Sequence, residues 1–115
     1  MAVDFSAWDE PVDDTTHVVA VQGEIDIFTA PDFKALISGA IDAGRDKVIV
    51  DLSAATFIDS SSLGVLISAH RRLGMRDGRL VVATAVPAVL NTLRITGLDG
   101  VFDVVDSREA ALART

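Results

Sequence analysis

Short apolar segments typical of strands alternate with segments of helical periodicity along most of this chain. The clearest strand signal is Val48 to Leu52, in which only Asp51 is polar. A strand without polar alternation is typical of a sheet covered on both faces, and parallel sheets are built that way because their crossover helices lie on the faces. The alternation therefore predicts an α/β fold with a mixed, mostly parallel sheet.

The predicted elements begin with two strands, Phe5 to Trp8 and His17 to Gln22, which flank a polar turn from Pro11 to Thr16. We expect these strands to form a hairpin, with Gly23 ending the second one. The remaining strands are expected at Lys47 to Leu52, Leu80 to Ala83 and Val101 to Val105. Helices are expected between the cap Thr29 and the stop Gly44, from Asp59-Ser60 to Arg76 before the turn Asp77-Gly78, from Val86 to the stop Gly97, and from Ser107 to Leu112. The sequence thus predicts one domain over residues 1–115, with four to five strands and about four helices.

The first helix carries a start signal of its own. Thr29 is placed to cap it, Pro31 suits its first turn, and Asp32 follows Thr29 by three residues. This spacing is that of a capping box, in which the threonine side chain accepts a hydrogen bond from the third helical amide. We therefore expect Thr29 to be the side-chain cap of this helix.

Acidic residues outnumber basic ones by 17 to 10, which gives a net charge of −7. No Lys or Arg precedes Lys34. Such a surface repels phosphate groups, so we expect no nucleic acid partner. A basic protein surface would be attracted instead, although solubility alone would also explain the acidic composition.

The chain has no cysteine, which excludes disulfides and thiolate metal sites and is compatible with a reducing cytoplasm. No apolar run approaches the length of a membrane span. The first residues, Met1 to Phe5, lack the basic and apolar regions of a signal peptide. We therefore expect a soluble cytoplasmic protein that does not bind membranes.

A run of three serines, Ser60 to Ser62, follows Asp59 between a buried strand and an amphipathic helix. Helix N-termini favour negative charge, so a phosphate on Ser60 would be tolerated there and would be visible to a partner. The alternative is a plain helix cap, because Asp and Ser are both preferred at that position. Ser60 is therefore a candidate phosphorylation site.

A catalytic role for Ser60 has little support. A nucleophilic serine needs a base within hydrogen-bond reach and a group that orients the base. The only histidines are His17 and His70, and His70 would lie ten residues, about 15 Å, along the same helix. The Gly-x-Ser-x-Gly elbow of hydrolases is absent. We expect no enzyme activity.

Glu24 and Asp26 lie at the end of the second predicted strand, within Gly23-Glu24-Ile25-Asp26. They would form an acidic rim beside Ser60 if the loop after the second strand and the serine loop lie at the same end of the sheet. The alternative is that they belong to a polar turn before the first helix. Two unconstrained carboxylates make a weak Mg²⁺ site, and neither glycine-rich phosphate-binding motif occurs. The sequence predicts no metal and no cofactor.

Three segments together resemble an STAS domain of the anti-sigma factor antagonist family. They are Gly23-Glu24-Ile25-Asp26 leading into Thr29-Ala30-Pro31, then Val50-Asp51-Leu52-Ser53, then Phe57-Ile58-Asp59-Ser60-Ser61-Ser62-Leu63-Gly64. The resemblance covers roughly Val3 to Leu112, which is almost the whole chain. This chain differs from the family motif at Ser62, where such motifs usually have glycine.

The resemblance implies a partner-switching mechanism. The unmodified antagonist would bind an anti-sigma factor that is also a serine kinase, and this binding would free a sigma factor. Phosphorylation of the antagonist by that kinase would end the binding. A metal-dependent serine phosphatase would remove the phosphate and restore the binding. The phosphate acceptor would be Ser60, and the partner-binding residues would be Asp59, Ser61, Ser62, Leu63, Gly64, Glu24 and Asp26. The alternative is a constitutive STAS binding or scaffold module, including the transporter-accessory type, without phosphorylation.

Overall fold

The fold is a five-stranded sheet with helices on both faces, described by a computed structural model over residues 5–114. Met1 to Asp4, where we expect no signal peptide, and Thr115 lie outside the described residues. The strands are β1 (Ser6–Pro11), β2 (Thr16–Ile25), β3 (Lys47–Ile58), β4 (Arg79–Ala83) and β5 (Asp103–Val105), and the helices are α1 (Ala30–Asp42), α2 (Ser60–Gly74), α3 (Pro87–Ile95) and α4 (Arg108–Ala113). The predicted α/β class and the order of the elements are confirmed.

The sheet has the spatial order β1-β2-β3-β4-β5, so each strand pairs with its neighbours in the sequence. β1 is antiparallel to β2, as the predicted hairpin requires, and the other pairs are parallel. In a parallel sheet the carboxyl ends of the strands share one edge. The loops that follow β2 and β3 therefore leave the sheet side by side.

The prediction that Gly23 ends the second strand is wrong, because β2 continues to Ile25. Gly23 adopts a φ of +88°, a left-handed conformation that glycine accepts without a steric penalty. The pairing between β2 and β3 shifts register beside it, between Gly23 and Glu24. The glycine therefore marks an irregularity within the strand, and β2 and β3 extend together beyond their predicted ends.

The two faces of the sheet are covered unequally. α1, α2 and α3 pack on one face, where Phe33, Leu66 and Leu93 meet the β-strand side chains of the larger core cluster. α4 covers the opposite face, where Ala111 packs against a smaller cluster of Val18, Ile49, Val81 and Ala83. Neighbouring strand residues such as Ile49 and Val50 enter different clusters, as the period of two in a strand requires.

Arg108 anchors α4 to the sheet. Its guanidinium donates to the Asp51 carboxylate on β3 at 2.8 Å and pairs with Glu10 on β1 at 3.0 Å. Burial acts to raise the pKa of Asp51, but hydrogen bonds from Ser53 and Arg108 outweigh it and lower that pKa below its ordinary value. Asp51, the only polar residue in the apolar run of β3, is thus one partner in an ion pair between the helix and the sheet.

Candidate functional site

The candidate site lies where the carboxyl ends of β2 and β3 meet. Ile25 and Ile58 are partners in the parallel pairing, and the next residues on each strand are Asp26 and Asp59. Ser60 follows as the first residue of α2. The structure thus places the Glu24–Asp26 segment and the serine loop on the same edge of the sheet, which is the arrangement an acidic rim beside Ser60 requires.

Asp59 is the N-cap of α2. Its carboxylate oxygen Oδ1 accepts hydrogen bonds from the backbone amides of Ser61 at 3.0 Å and Ser62 at 3.2 Å. Capping by aspartate satisfies amides that a helix N-terminus otherwise leaves unpaired. Because Asp59 takes this role, the exposed Ser60 side chain is not needed as a cap. Within residues 5–114 the Ser60 hydroxyl makes no side-chain hydrogen bond.

The segment between β2 and α1 is an ordered turn built on Asp26. The Asp26 carboxylate accepts hydrogen bonds from the amides of Phe28 at 2.9 Å and Thr29 at 3.0 Å, and Thr29 Oγ1 accepts one from the Asp26 amide at 2.8 Å. The bond from the Thr29 amide is the main cause that lowers the pKa of Asp26. This turn therefore holds Asp26 as a carboxylate.

The predicted capping box at Thr29 and Asp32 is wrong. Thr29 precedes α1 as expected, but its side chain makes no capping bond to the helix. Its hydroxyl faces back to Asp26, with which it exchanges hydrogen bonds. The Asp26 turn and the helix cap both require the Thr29 hydroxyl oxygen, and in the structure that oxygen accepts from the Asp26 amide.

Three apolar side chains are exposed around this edge and form what we call the apolar tip. Phe28 is 86% exposed, Ile27 is 67% exposed and Phe57 on β3 is 45% exposed. They are not among the binding residues predicted from the sequence. Ile27 and Phe28 could have been recognised as two adjacent apolar residues inside a polar turn, outside the helical stripe that begins at Phe33.

The predicted partner-binding residues differ in accessibility. Ser60, Gly64 and Glu24 are exposed, whereas Asp59, Ser61 and Asp26 are partly buried. Ser62 and Leu63 are buried in the free protein, so their part in partner binding stays a prediction and would act through the shape of the first turn of α2. Both side chains belong to the buried side of α2, and Leu63 is part of the larger core cluster.

Metal ligands or a histidine base are the groups that chemistry at Ser60 would require, and residues 5–114 place them as follows. In that range no three His, Asp or Glu side chains come together as a metal site. The His70 ring packs edge-on against Phe102 at 5.7 Å between centroids, and His17 Nε2 lies 2.7 Å from Asp9 Oδ2. Each histidine therefore has a partner other than Ser60. Over the same residues, none of the helices is long and apolar enough to span a bilayer.

A family model, curated relatives and solved structures all match this chain to STAS-domain proteins or anti-sigma factor antagonists. The family model described as STAS domain matches residues 7–111. An anti-sigma-B factor antagonist from Listeria monocytogenes is 30% identical over 94 residues, covering 79% of this chain and 81% of the relative. The solved structure of an anti-sigma factor antagonist from Mycobacterium paratuberculosis has a TM-score of 0.86 and 31% identity, covering 95% of this chain and 92% of the other.

A second solved relative exists in two states. The anti-sigma factor antagonist SpoIIAA in its unphosphorylated form has a TM-score of 0.83 and 27% identity, covering 93% of each chain. The Bacillus cell fate determinant SpoIIAA in the phosphorylated form has a TM-score of 0.74 and 27% identity, covering 95% of this chain and 96% of the other. The fold of this chain is therefore similar to both states of one regulatory protein.

Proposed function

This chain belongs to the STAS domain family, and from that premise we propose that it is an anti-sigma factor antagonist controlled by phosphorylation of Ser60. The unmodified protein binds an anti-sigma factor serine kinase, and the kinase ends that binding by phosphorylating Ser60. A metal-dependent serine phosphatase restores the binding form. The observation that carries the proposal is the division of roles at α2: Asp59 caps the helix and leaves the Ser60 hydroxyl exposed.

The electrostatics of a helix start favour a phosphate on Ser60. The first amides of a helix and its macrodipole stabilise negative charge, so phosphorylation does not oppose the fold. A phosphoserine carries close to two negative charges. It would stand beside Asp59 and near the carboxylates of Glu24 and Asp26, which raises the negative potential of the whole edge.

The binding surface combines this acidic rim with the apolar tip. A complementary partner would offer cations to Glu24 and Asp26 and an apolar recess to Phe28, whose ring is almost fully exposed. Interfaces typically place aromatic side chains at their centre and polar groups at the rim. A phosphate at Ser60 would have to be desolvated within such an interface, and this cost explains release.

The protein acts by binding and not by catalysis. In this scheme ATP is bound and consumed by the kinase, so the antagonist itself needs no cofactor. The relatives named above are antagonists of anti-sigma factors. A sigma factor works with the transcription machinery, so we place the activity in the bacterial cytoplasm.

The test uses two substitutions at Ser60 and a matched pair on the same helix. Unmodified protein captures its kinase from extract, and calorimetry then compares Ser60→Ala with Ser60→Glu. We expect tight binding by the alanine variant and weak binding by the glutamate variant. Ser68→Ala and Ser68→Glu change another exposed serine of α2 and should bind alike.

Phosphosite mapping completes the experiment. After incubation with the kinase and ATP, mass spectrometry should find phosphate on Ser60 and none on the buried Ser62. Equal affinities of the two Ser60 variants, together with no incorporated phosphate, would contradict the switch. That outcome would support the alternative of a constitutive STAS binding module.

A further inference from the structure

Ser62 connects the two halves of the candidate site through its side chain. Its hydroxyl oxygen lies 3.3 Å from the carbonyl oxygen of Ile25 and 3.3 Å from Asp59 Oδ1. Ile25 is the last residue of β2, directly before the Asp26 turn, and Asp59 directly precedes Ser60. The residue is fully buried, so water does not compete for these contacts.

One hydroxyl carries one proton, so these two acceptors compete for it. Both contacts are longer than the usual 2.7–2.8 Å of an O–H···O bond, as expected when one donor is shared between two acceptors. Asp59 is a carboxylate in both states, and the equal 3.3 Å distances show a hydroxyl shared between the two acceptors in the unmodified protein. A shared proton moves with the local electric field, so its balance depends on any further charge placed beside one acceptor. Added negative charge beside Asp59 would draw the proton toward the carboxylate and away from Ile25.

We propose that the Ser62 hydroxyl is a positioning group that couples phosphorylation of Ser60 to the turn carrying the apolar tip. In the unmodified protein the shared hydroxyl links the Ile25 carbonyl, and with it the Asp26 turn, to the start of α2. With phosphate on Ser60 the hydroxyl donates to Asp59, and the turn loses that tie. Phosphorylation then acts on binding both by charge and by loosening Ile27 and Phe28.

This inference rests on the proposed function for its biological meaning, but its test requires no kinase. Full-length protein is made with serine or with phosphoserine installed at position 60 during synthesis. Amide NMR spectra of each pair are compared for the wild type, for Ser62→Ala and for Ser61→Ala. The Ser61 control removes a hydroxyl from the same helical turn without touching the Ile25 contact.

In the wild type and in Ser61→Ala, phosphoserine should shift the amide resonances of Ile27, Phe28 and Thr29. In Ser62→Ala those turn shifts should be much smaller, because only the direct effect of the phosphate charge is left, while the shift at Leu63 in the first turn of α2 should remain. Without phosphate, Ser62→Ala should also exchange its Phe28 and Thr29 amides roughly fivefold faster, the factor that corresponds to one net hydrogen bond.

Equal turn shifts in the wild type and Ser62→Ala would overturn the coupling. The Val50 amide of the core reports whether each variant is folded. If Ser62→Ala does not fold, Ser62→Cys replaces only the hydroxyl oxygen by sulfur, gives a far weaker donor and should reduce the turn shifts in the same way. A kinase that fails to modify Ser60 would contradict the proposed function and leave this result intact.

Discussion

Truncation of Phe28 to alanine should weaken binding to the anti-sigma factor kinase about 10- to 80-fold while leaving folding stability nearly unchanged. Full burial of a phenylalanine side chain contributes about 1.5–3 kcal/mol. Phe28 is 86% exposed in the free protein, so an interface that covers it gains that fraction, about 1.3–2.6 kcal/mol. Since the ring contributes little to the core, its loss should change the free energy of unfolding by no more than about 0.5 kcal/mol.

Calorimetric titration of the kinase measures the affinity, and urea denaturation of the same samples measures stability. Met75→Ala is the matched control, because Met75 is 82% exposed but lies at the far end of α2, roughly 22 Å from its start. It should leave the affinity unchanged. Phe33→Ala checks the stability assay, because Phe33 is fully buried and its truncation should cost about 3–5 kcal/mol.

Two results would refute this reasoning. If Phe28→Ala and Met75→Ala bind equally well, the apolar tip lies outside the interface, and the kinase would have to recognise Ser60 through the acidic rim alone. If Phe28→Ala lowers stability by more than about 1 kcal/mol, the ring packs against the protein in solution, and the gain assigned to its burial by a partner is overestimated.

Two further predictions concern the ion pair between Arg108 of α4 and Asp51 of β3. Arg108→Ala should lower the free energy of unfolding by about 1–3 kcal/mol in urea denaturation, because Asp51 keeps a mostly buried carboxylate without its cation. Arg72→Ala, which breaks the exposed pair with Asp42, should cost less than about 1 kcal/mol, and equal costs would contradict the role of burial. The free energy of unfolding should also fall as the pH drops below about 4. The pKa of Asp51 is lower in the folded than in the unfolded protein, so its ionised form stabilises the fold above the unfolded pKa. That stability is lost when Asp51 becomes protonated in the folded protein. Asp51→Asn should flatten this dependence between pH 5 and 3, and an unchanged slope would show that Asp51 does not contribute to it.

Much of the fold follows from local patterns. The run from Val48 to Leu52 predicts a strand covered on both faces, and the structure places Ile49 and Val50 in opposite core clusters. The Asp59-Ser60 pair predicts a helix start, and α2 begins at Ser60. These predictions succeed because strand alternation and helix capping depend on residues only a few positions apart.

The failed predictions involve choices between partners. Gly23 has the character of a strand terminator, but β3 continues to pair beside it and carries β2 on to Ile25. Thr29 is a residue type that often caps helices, but its hydroxyl forms hydrogen bonds with Asp26 in the preceding turn instead. A sequence pattern indicates which hydrogen bonds and strand pairings a residue can form. The packing of the whole chain determines which of them it does form.

The sequence by itself determined the α/β class, the order of the elements, the STAS resemblance and the place of Ser60 at a helix start. Only the tertiary structure decided which hydroxyl of the serine run is exposed and which is buried. Ser62 lies 37 residues from Ile25 in the chain, yet its hydroxyl contacts the carbonyl of that residue. Burial and such contacts arise when distant segments pack together, so they cannot be read from neighbouring residues alone.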